Sequence, residues 1–172
     1  MEKFYFSYYQ CMEQIDIDAT DMRLLDQLQR DASLSNQALA ELVHISPPTC
    51  LRRIKRLMEA GLIERQIAIL NTEKLAPTLG YGITAIVEIT LDRQGAELLE
   101  AFEARVAVDG AVQQCYRVSP GPDFCLVVFA RDMPDYLALA QRLFTSDANV
   151  RNVKAFFSVK RSKFEPHIPL QP

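Results

Sequence analysis

The first third of the chain repeats apolar residues at the three- and four-residue spacing of amphipathic helices. Three such stretches lie between residues 15 and 60, and the residues that suit their N-caps are Asp18 or Thr20, Ser35, and Ser46 followed by Pro47. Only a tight turn at His44 separates the second stretch from the third, which ends where Gly61 can adopt a left-handed conformation. The pattern predicts a helix-turn-helix. Strand-like alternation over residues 62–70 predicts a wing after it.

The second half of the chain alternates strand-like and helical segments. We predict strands at 83–91, 112–119, 124–130 and 150–159, the middle two joined as a hairpin. The two predicted helices carry inward stripes, which are Leu98, Leu99, Phe102 and Val106 in the first and Leu137, Ala140, Leu143 and Phe144 in the second, capped by Asp132. The order βαββαβ is the ferredoxin-like arrangement. The fold class is therefore α+β, with an N-terminal winged helix-turn-helix domain and a C-terminal ferredoxin-like domain.

These patterns also divide the chain into regions. We expect an N-terminal extension at 1–14, the helix-turn-helix domain at 15–70, a linker at 71–80 with Pro77 and Gly80 as breakers, the second domain at 81–163 and a tail at 164–172. The predicted strand 124–130 is apolar on both faces, whereas two helices can cover only one face of a four-stranded sheet. We therefore expect a homodimer in which two sheets pack together.

The third predicted helix carries its positive charge on one side. At about 100° per residue, its buried stripe consists of Cys50, Ile54 and Leu57, and a different side presents Thr49, Arg52, Arg53 and Arg56. Basic residues on an isolated helix are most often a solvated surface. Here the two preceding helices are acidic or neutral, so the charge is concentrated on the helix that the turn would present to a DNA groove. Because arginine binds phosphates and guanine edges, and a helix N-terminus such as that at Ser46 can hold a phosphate, the sequence predicts DNA binding.

Composition narrows the classes of protein further. The 172 residues are 49% hydrophobic with a formal net charge of −3, which is enough apolar mass for packed cores and no global excess of positive charge. No apolar run reaches the ~18 residues of a membrane span, and residues 1–14 lack the features of a secretory signal, so we expect a cytoplasmic protein without a membrane partner. The four cysteines form no C-x-x-C pair and fit free thiols. We expect neither a metal nor a cofactor.

Three runs in the helix-turn-helix region agree in both residue type and spacing. They are Leu24-Leu25-x-x-Leu28-x-x-Asp31, Ser35-Asn36-x-x-Leu39-Ala40, and Ile45-Ser46-Pro47-x-Thr49-Cys50-x-x-Arg53-Ile54-x-x-Leu57-x-x-x-Gly61-Leu62-Ile63. Together they resemble the Lrp/AsnC, or feast/famine, family of leucine- and asparagine-responsive regulators, over residues 15–163. The resemblance implies a sequence-specific transcription regulator that contacts double-stranded DNA through Ser46, Pro47, Thr49, Arg52, Arg53 and Arg56. It also implies a second domain of the RAM type, an ACT-like sensor of a small effector such as an amino acid, and dimers that can assemble into octamers.

The same resemblance indicates where an effector would bind, because in this family it lies between subunits, near a hairpin loop and the last strand of the neighbouring chain. The implied contacts are Ser119, Gly121 and Asp123, with Phe156 and Phe157 from the partner strand. Pro120 stands where the family has glycine, and with Pro122 it stiffens the loop and removes main-chain donors. An equally open alternative is that Asp123 is a turn residue that bonds its own backbone.

Two rival functions remain open at this point. One is an enzyme, because some relatives of this fold are siroheme decarboxylases; however, the chain has only two histidines, His44 and His167, and no Ser/His/Asp or Cys/His grouping is visible. The other is an amino-acid-binding module without DNA function, against which the arginine-rich helix argues. We therefore predict a DNA-binding regulator without enzymatic activity.

Overall fold

The computed structural model describes residues 16–80 and 82–170, without the side chains of Glu73 and Leu79. The predicted extension at 1–14 therefore lies outside the described residues. The described residues form two compact units, of which one comprises residues 16–69 and 164–170 and the other residues 70–80 and 82–163. Residues 164–170 of the predicted tail thus lie in the first unit. None of the described helices is long and apolar enough to cross a membrane.

Three helices build the first unit: α1 is Ala19–Arg30, α2 is Asn36–Leu42 and α3 is Pro47–Glu59. The predicted caps are confirmed at α1, where Asp18 accepts hydrogen bonds from main-chain N–H groups, and at α2, where Ser35 accepts one from Ala38. His44 (φ 59°) and Gly61 (φ 70°) adopt the left-handed conformations expected at the turn and at the helix end. The buried core of the unit comprises Leu24, Leu39, Ala40, Val43 and Cys50. The predicted helix-turn-helix is confirmed.

Residues 62–70 do not form the strand that their alternation predicts. A strand requires main-chain partners, and none of the four strands in the described structure pairs with this segment. The side chains of Ile67, Ile69 and Leu70 remain exposed. Alternation alone was therefore insufficient to produce a strand here.

A helix occupies the predicted linker. α4 spans Thr72–Leu79, and its N-cap Asn71 accepts a 3.0 Å hydrogen bond from the N–H of Lys74. Pro77 lies within this helix, where its missing N–H removes one hydrogen bond, and the helix ends at Gly80 with φ 85°. The two breakers thus mark the last turn and the end of a short helix. The sequence analysis did not predict this helix within the linker, and the linker assignment itself stays a prediction.

The second unit has the predicted βαββαβ order. Its elements are β1 Ile83–Leu91, α5 Ala96–Ala107, β2 Val112–Arg117, β3 Phe124–Ala130, α6 Met133–Ala140 with a π-turn at Gln141–Thr145, and β4 Val150–Phe157. The strands form one antiparallel sheet in the order β2-β3-β1-β4, so that β1 and β3 are central. This is the expected ferredoxin-like topology, and the α+β class is confirmed.

The core of the second unit lies between the helices and one face of the sheet. Phe102 of α5 stacks on Phe124 of β3 with ring centroids 4.6 Å apart. Leu98, at the edge of the α5 stripe, is exposed, and Leu137 of α6 is 60% exposed although both were expected to point inward. The buried residues of α6 and its π-turn are instead Tyr136, Leu139, Leu143 and Phe144. The π-turn adds a residue to one turn, which shifts the helical phase that a regular period predicts.

The opposite face of this sheet carries apolar side chains that the unit itself leaves accessible. Ile86 of β1 lies beside Phe156 of β4 in the register, and both are exposed, as is Tyr116 of β2. Phe129 of β3 lies against Gly82, where an added Cβ would come within 2.0 Å of the ring. A side chain at position 82 would therefore require the Phe129 ring to move.

Candidate nucleic-acid interface

The N-terminus of α3 is anchored by the preceding helix. The side-chain amide of Asn36 donates a 2.9 Å hydrogen bond to the carbonyl oxygen of Pro47. Ser46 does not cap α3 with its side chain, and its Oγ lies 2.8 Å from Oγ1 of Thr49. Because Pro47 and Pro48 have no N–H, the first main-chain donor of this helix end is that of Thr49. The helix end therefore offers hydroxyls and fewer N–H groups than a helix without prolines.

Arg52 lies on the expected DNA-binding side of α3. Its side chain is exposed, and within the described ranges it makes no hydrogen bond or ion pair. Lys55 is also exposed, with its Nζ 3.7 Å from a carboxylate oxygen of Glu59. Arg52 therefore keeps its full hydrogen-bonding capacity for a ligand, and Thr49 lies one turn before it.

Arg53 and Arg56 do not project freely as the sequence led us to expect. Nη1 of Arg53 donates to Asp18 at 2.7 Å and to Asp21 at 2.8 Å, and its side chain is only 25% exposed. Nη2 of Arg56 donates to the other oxygen of Asp21. The arginine-rich side is thus divided: Arg52 faces outward, whereas the other two are held by carboxylates of the first helix. Arg56 remains 46% exposed.

The different surroundings of these arginines follow from where the residues lie around α3 and α1. Arg53 is four residues before the buried Leu57, which places the two side chains about 40° apart around α3, at the border of the packed stripe. Asp21 lies three residues before Leu24 on α1, at the spacing of that helix's buried face, and it is 0% exposed. A charged residue on an apolar stripe requires a partner. This spacing is the signal in the sequence that identifies Asp21 as the partner of arginines on the next packed helix.

These contacts also shift protonation equilibria. The pKa of Asp18 is lowered, chiefly by the hydrogen bond from the main-chain N–H of Asp21 and then by the one from Arg53. The pKa of Arg53 is raised further above its ordinary value by its hydrogen bonds to Asp21 and Asp18. Both shifts favour the charged forms of Asp18 and Arg53.

In the second unit, Asp123 anchors the predicted effector loop to the sheet. Its carboxylate accepts a 2.7 Å hydrogen bond from the N–H of Leu91, and its own N–H donates to the carbonyl oxygen of Ile89 at 2.8 Å. The carboxylate thus bonds the end of β1, and the alternative in which it bonds its own turn is wrong. Ser119 and Gly121 are exposed, and Gly121 has φ 130°, a conformation that favours glycine.

Phe156 and Phe157 are adjacent in β4 and therefore point to opposite faces of the sheet. Phe156 is 53% exposed on the face away from the helices. Phe157 contacts Tyr136 of α6 edge-on, with ring centroids 4.9 Å apart. The two rings therefore lie on different faces of β4, and Phe157 remains 40% exposed. Their contribution to an effector site stays a prediction.

Comparisons with known proteins match both units. The family model of winged helix-turn-helix DNA-binding domains matches residues 17–64, and that of the Lrp/AsnC ligand binding domain matches residues 84–168. The leucine-responsive regulatory protein of Rhizobium meliloti is 36% identical over 149 residues, which cover 87% of this chain and 93% of that protein. The chain belongs to the Lrp/AsnC family of transcription regulators.

Other transcription regulators are similar over nearly the whole chain. The DNA-binding transcriptional activator DecR of Escherichia coli is 31% identical over 155 residues, covering 90% of this chain and 99% of DecR. An AsnC family regulator from Agrobacterium tumefaciens has a solved structure with a TM-score of 0.78, 30% identity, and coverage of 90% of this chain and 97% of that one. A Neisseria meningitidis regulator solved as an L-Met complex gives a TM-score of 0.75 at the same identity and coverage. The predicted family and regulatory function are confirmed.

Proposed function

We propose that this Lrp/AsnC regulator binds double-stranded DNA through the N-terminal end and outer side of α3, with Arg52 as the principal contact. The observation that carries the proposal is the exposed guanidinium of Arg52, which has no partner within the described residues. Thr49 lies one turn before it, and the hydroxyl of Ser46 lies beside that of Thr49. A guanidinium can bond a guanine edge bidentately, and hydroxyls with a main-chain N–H can bond a phosphate.

The remaining predicted DNA contacts have different roles in this proposal. Pro47 starts α3 at the place where the backbone would approach DNA. Arg56 is half-exposed but, like Arg53, pairs with the carboxylate of Asp21, so both arginines would hold α3 in position at the border of the interface without bonding phosphate. Arg52 remains the principal contact.

The proposed effector is an amino acid bound near the β2–β3 loop, between subunits. The Neisseria relative was solved with L-Met, and this chain matches the ligand binding domain of the family. Ser119 and Gly121 are accessible on the loop, and Asp123 fixes its position on the sheet. The partner strand would contribute Phe156 from the exposed face; Phe157, packed on Tyr136, would support the strand from behind.

The proposed assembly is a homodimer in which the apolar sheet faces pack together. Ile86, Tyr116 and Phe156 expose apolar area that a second sheet would cover. Two-fold symmetry would present two copies of α3 to paired half-sites on DNA. Assembly of such dimers into octamers stays a prediction. Location in the cytoplasm, where a transcription regulator has access to the chromosome, also stays a prediction.

Recovery of genomic DNA tests this function directly. Purified protein is incubated with sheared genomic DNA from the source organism at physiological salt, with and without a mixture of the twenty amino acids, and the retained fragments are sequenced. We expect enrichment of a small set of fragments that changes when amino acids are present. Uniform recovery of the genome in both conditions would contradict sequence-specific binding, and enrichment unaffected by amino acids would contradict the effector class.

A further inference from the structure

A buried carboxylate joins α1 to α3 in the first unit. Among the described residues, 16–80 and 82–170, Asp21 is the charged residue whose side chain is buried. Its two oxygens accept hydrogen bonds from Arg53 and Arg56, and the main-chain N–H of Asp18 donates to it at 3.2 Å. Burial of a carboxylate is costly unless charged donors surround it. The contact between the two helices therefore depends on this charge cluster as well as on apolar packing.

Charge balance in this cluster determines what its arginines can do. Asp18 and Asp21 carry two negative charges, and Arg53 and Arg56 carry two positive ones, so the cluster is neutral. A DNA phosphate that approached either arginine would compete with a carboxylate already within hydrogen-bonding distance. Arg52, on the same side of α3, has no such competitor within the described ranges.

We propose that Asp21 is a specificity-determining positioning residue for DNA binding. Its carboxylate fixes the direction of the Arg53 and Arg56 side chains in the free protein. It also offsets their positive charge, so that they attract DNA phosphates less strongly, whatever the base sequence. Because phosphate contacts supply sequence-independent affinity, a carboxylate that occupies two arginines lowers that affinity and raises the ratio of specific to non-specific binding. This inference rests on the proposed binding of DNA through α3.

The salt dependence of DNA affinity tests the role of Asp21. Asp21→Asn keeps the side-chain shape and removes the charge, and binding is measured on an enriched genomic fragment and on a scrambled duplex of equal length. At a temperature where circular dichroism shows the variant folded, we expect log Kd on the scrambled duplex to depend more steeply on log salt, by about 0.9 for each arginine released to a phosphate. We also expect a ratio of specific to non-specific affinity about tenfold lower, within the range that such ratios span.

Matched variants separate this role from a structural one. Asp26→Asn makes the same charge change on the same helix, at a carboxylate paired with Arg30, and should keep the wild-type salt slope. Asp21→Glu, which retains the charge, should restore a slope close to wild type. A folded Asp21→Asn variant with the slope of Asp26→Asn would overturn the inference.

A second measurement covers the case in which Asp21→Asn does not fold. Arg56→Ala should leave the salt slope on the scrambled duplex unchanged, because this arginine is already neutralised. A decrease of about 0.9 would mean that Arg56 contacts phosphate in the wild-type complex, and it would overturn the inference. If the wild-type protein bound neither duplex, the proposed function would fail as well, so the two failures are distinguishable.

Discussion

At the scale of single residues, charge decides the behaviour of the arginines on α3. The sequence correctly predicted the cap at Asp18 and the left-handed turn at His44, because both depend on local chemistry. The directions of Arg53 and Arg56 depend on Asp21, which is more than thirty residues away in the chain. A helical wheel treats α3 as isolated and therefore cannot distinguish an arginine that faces solvent from one that faces a neighbouring helix.

The difference between these arginines should appear in stability. Arg53→Ala removes a donor from the buried carboxylate of Asp21, so we expect the free energy of unfolding to fall by about 2 kcal/mol. Arg52→Ala removes an exposed side chain without a described partner and should change it by less than about 0.5 kcal/mol. Urea unfolding followed by helical circular dichroism measures both. Equal stability of the two variants would show that the cluster around Asp21 contributes nothing.

At the scale of elements, the hydrophobic periodicity correctly predicted the strands that have packing partners. β1 alternates in sequence and lies in the centre of the sheet, where its burial alternates as well, so the pattern and the packing agree. Residues 62–70 alternate equally well but have no partner strand in the described structure, and they form no strand. The helix α4 was missed because Pro77 looked like a breaker, although a proline near the end of a two-turn helix costs only one hydrogen bond.

The exposed apolar face of the sheet should form the dimer contact, and a charge introduced there should break the dimer. Phe156→Asp places a charge on the sheet face of the proposed dimer contact, so we expect the protein to become monomeric. Leu137→Asp is the matched control, because Leu137 is at least as exposed but lies on α6, on the opposite side of the sheet. Sedimentation equilibrium distinguishes the two variants. A dimer of unchanged affinity in Phe156→Asp would place the contact elsewhere.

At the scale of the whole molecule, two units with separate cores carry two separable tasks. The order of elements and the helix-turn-helix signature were sufficient to predict both units and the family, because these features depend on many residues at once. The effector site was less predictable. Its candidates lie on a loop and on two faces of a strand, and only the structure shows that Asp123 is bonded to β1 and that Phe157 packs on Tyr136.

In the proposed interface, DNA binding depends most on the contact made by Arg52 of α3. The direct measurement is the affinity of Arg52→Ala for an enriched genomic fragment over a range of salt, beside Arg30→Ala as an equally charged change on an exposed arginine of α1. We predict that Arg52→Ala binds at least about tenfold more weakly. If Arg52 contacts a phosphate, the slope of log Kd against log salt should fall by about 0.9, and if it contacts a base, the slope should stay unchanged. Arg30→Ala should bind as the wild type does. Wild-type affinity in Arg52→Ala would contradict the proposed interface.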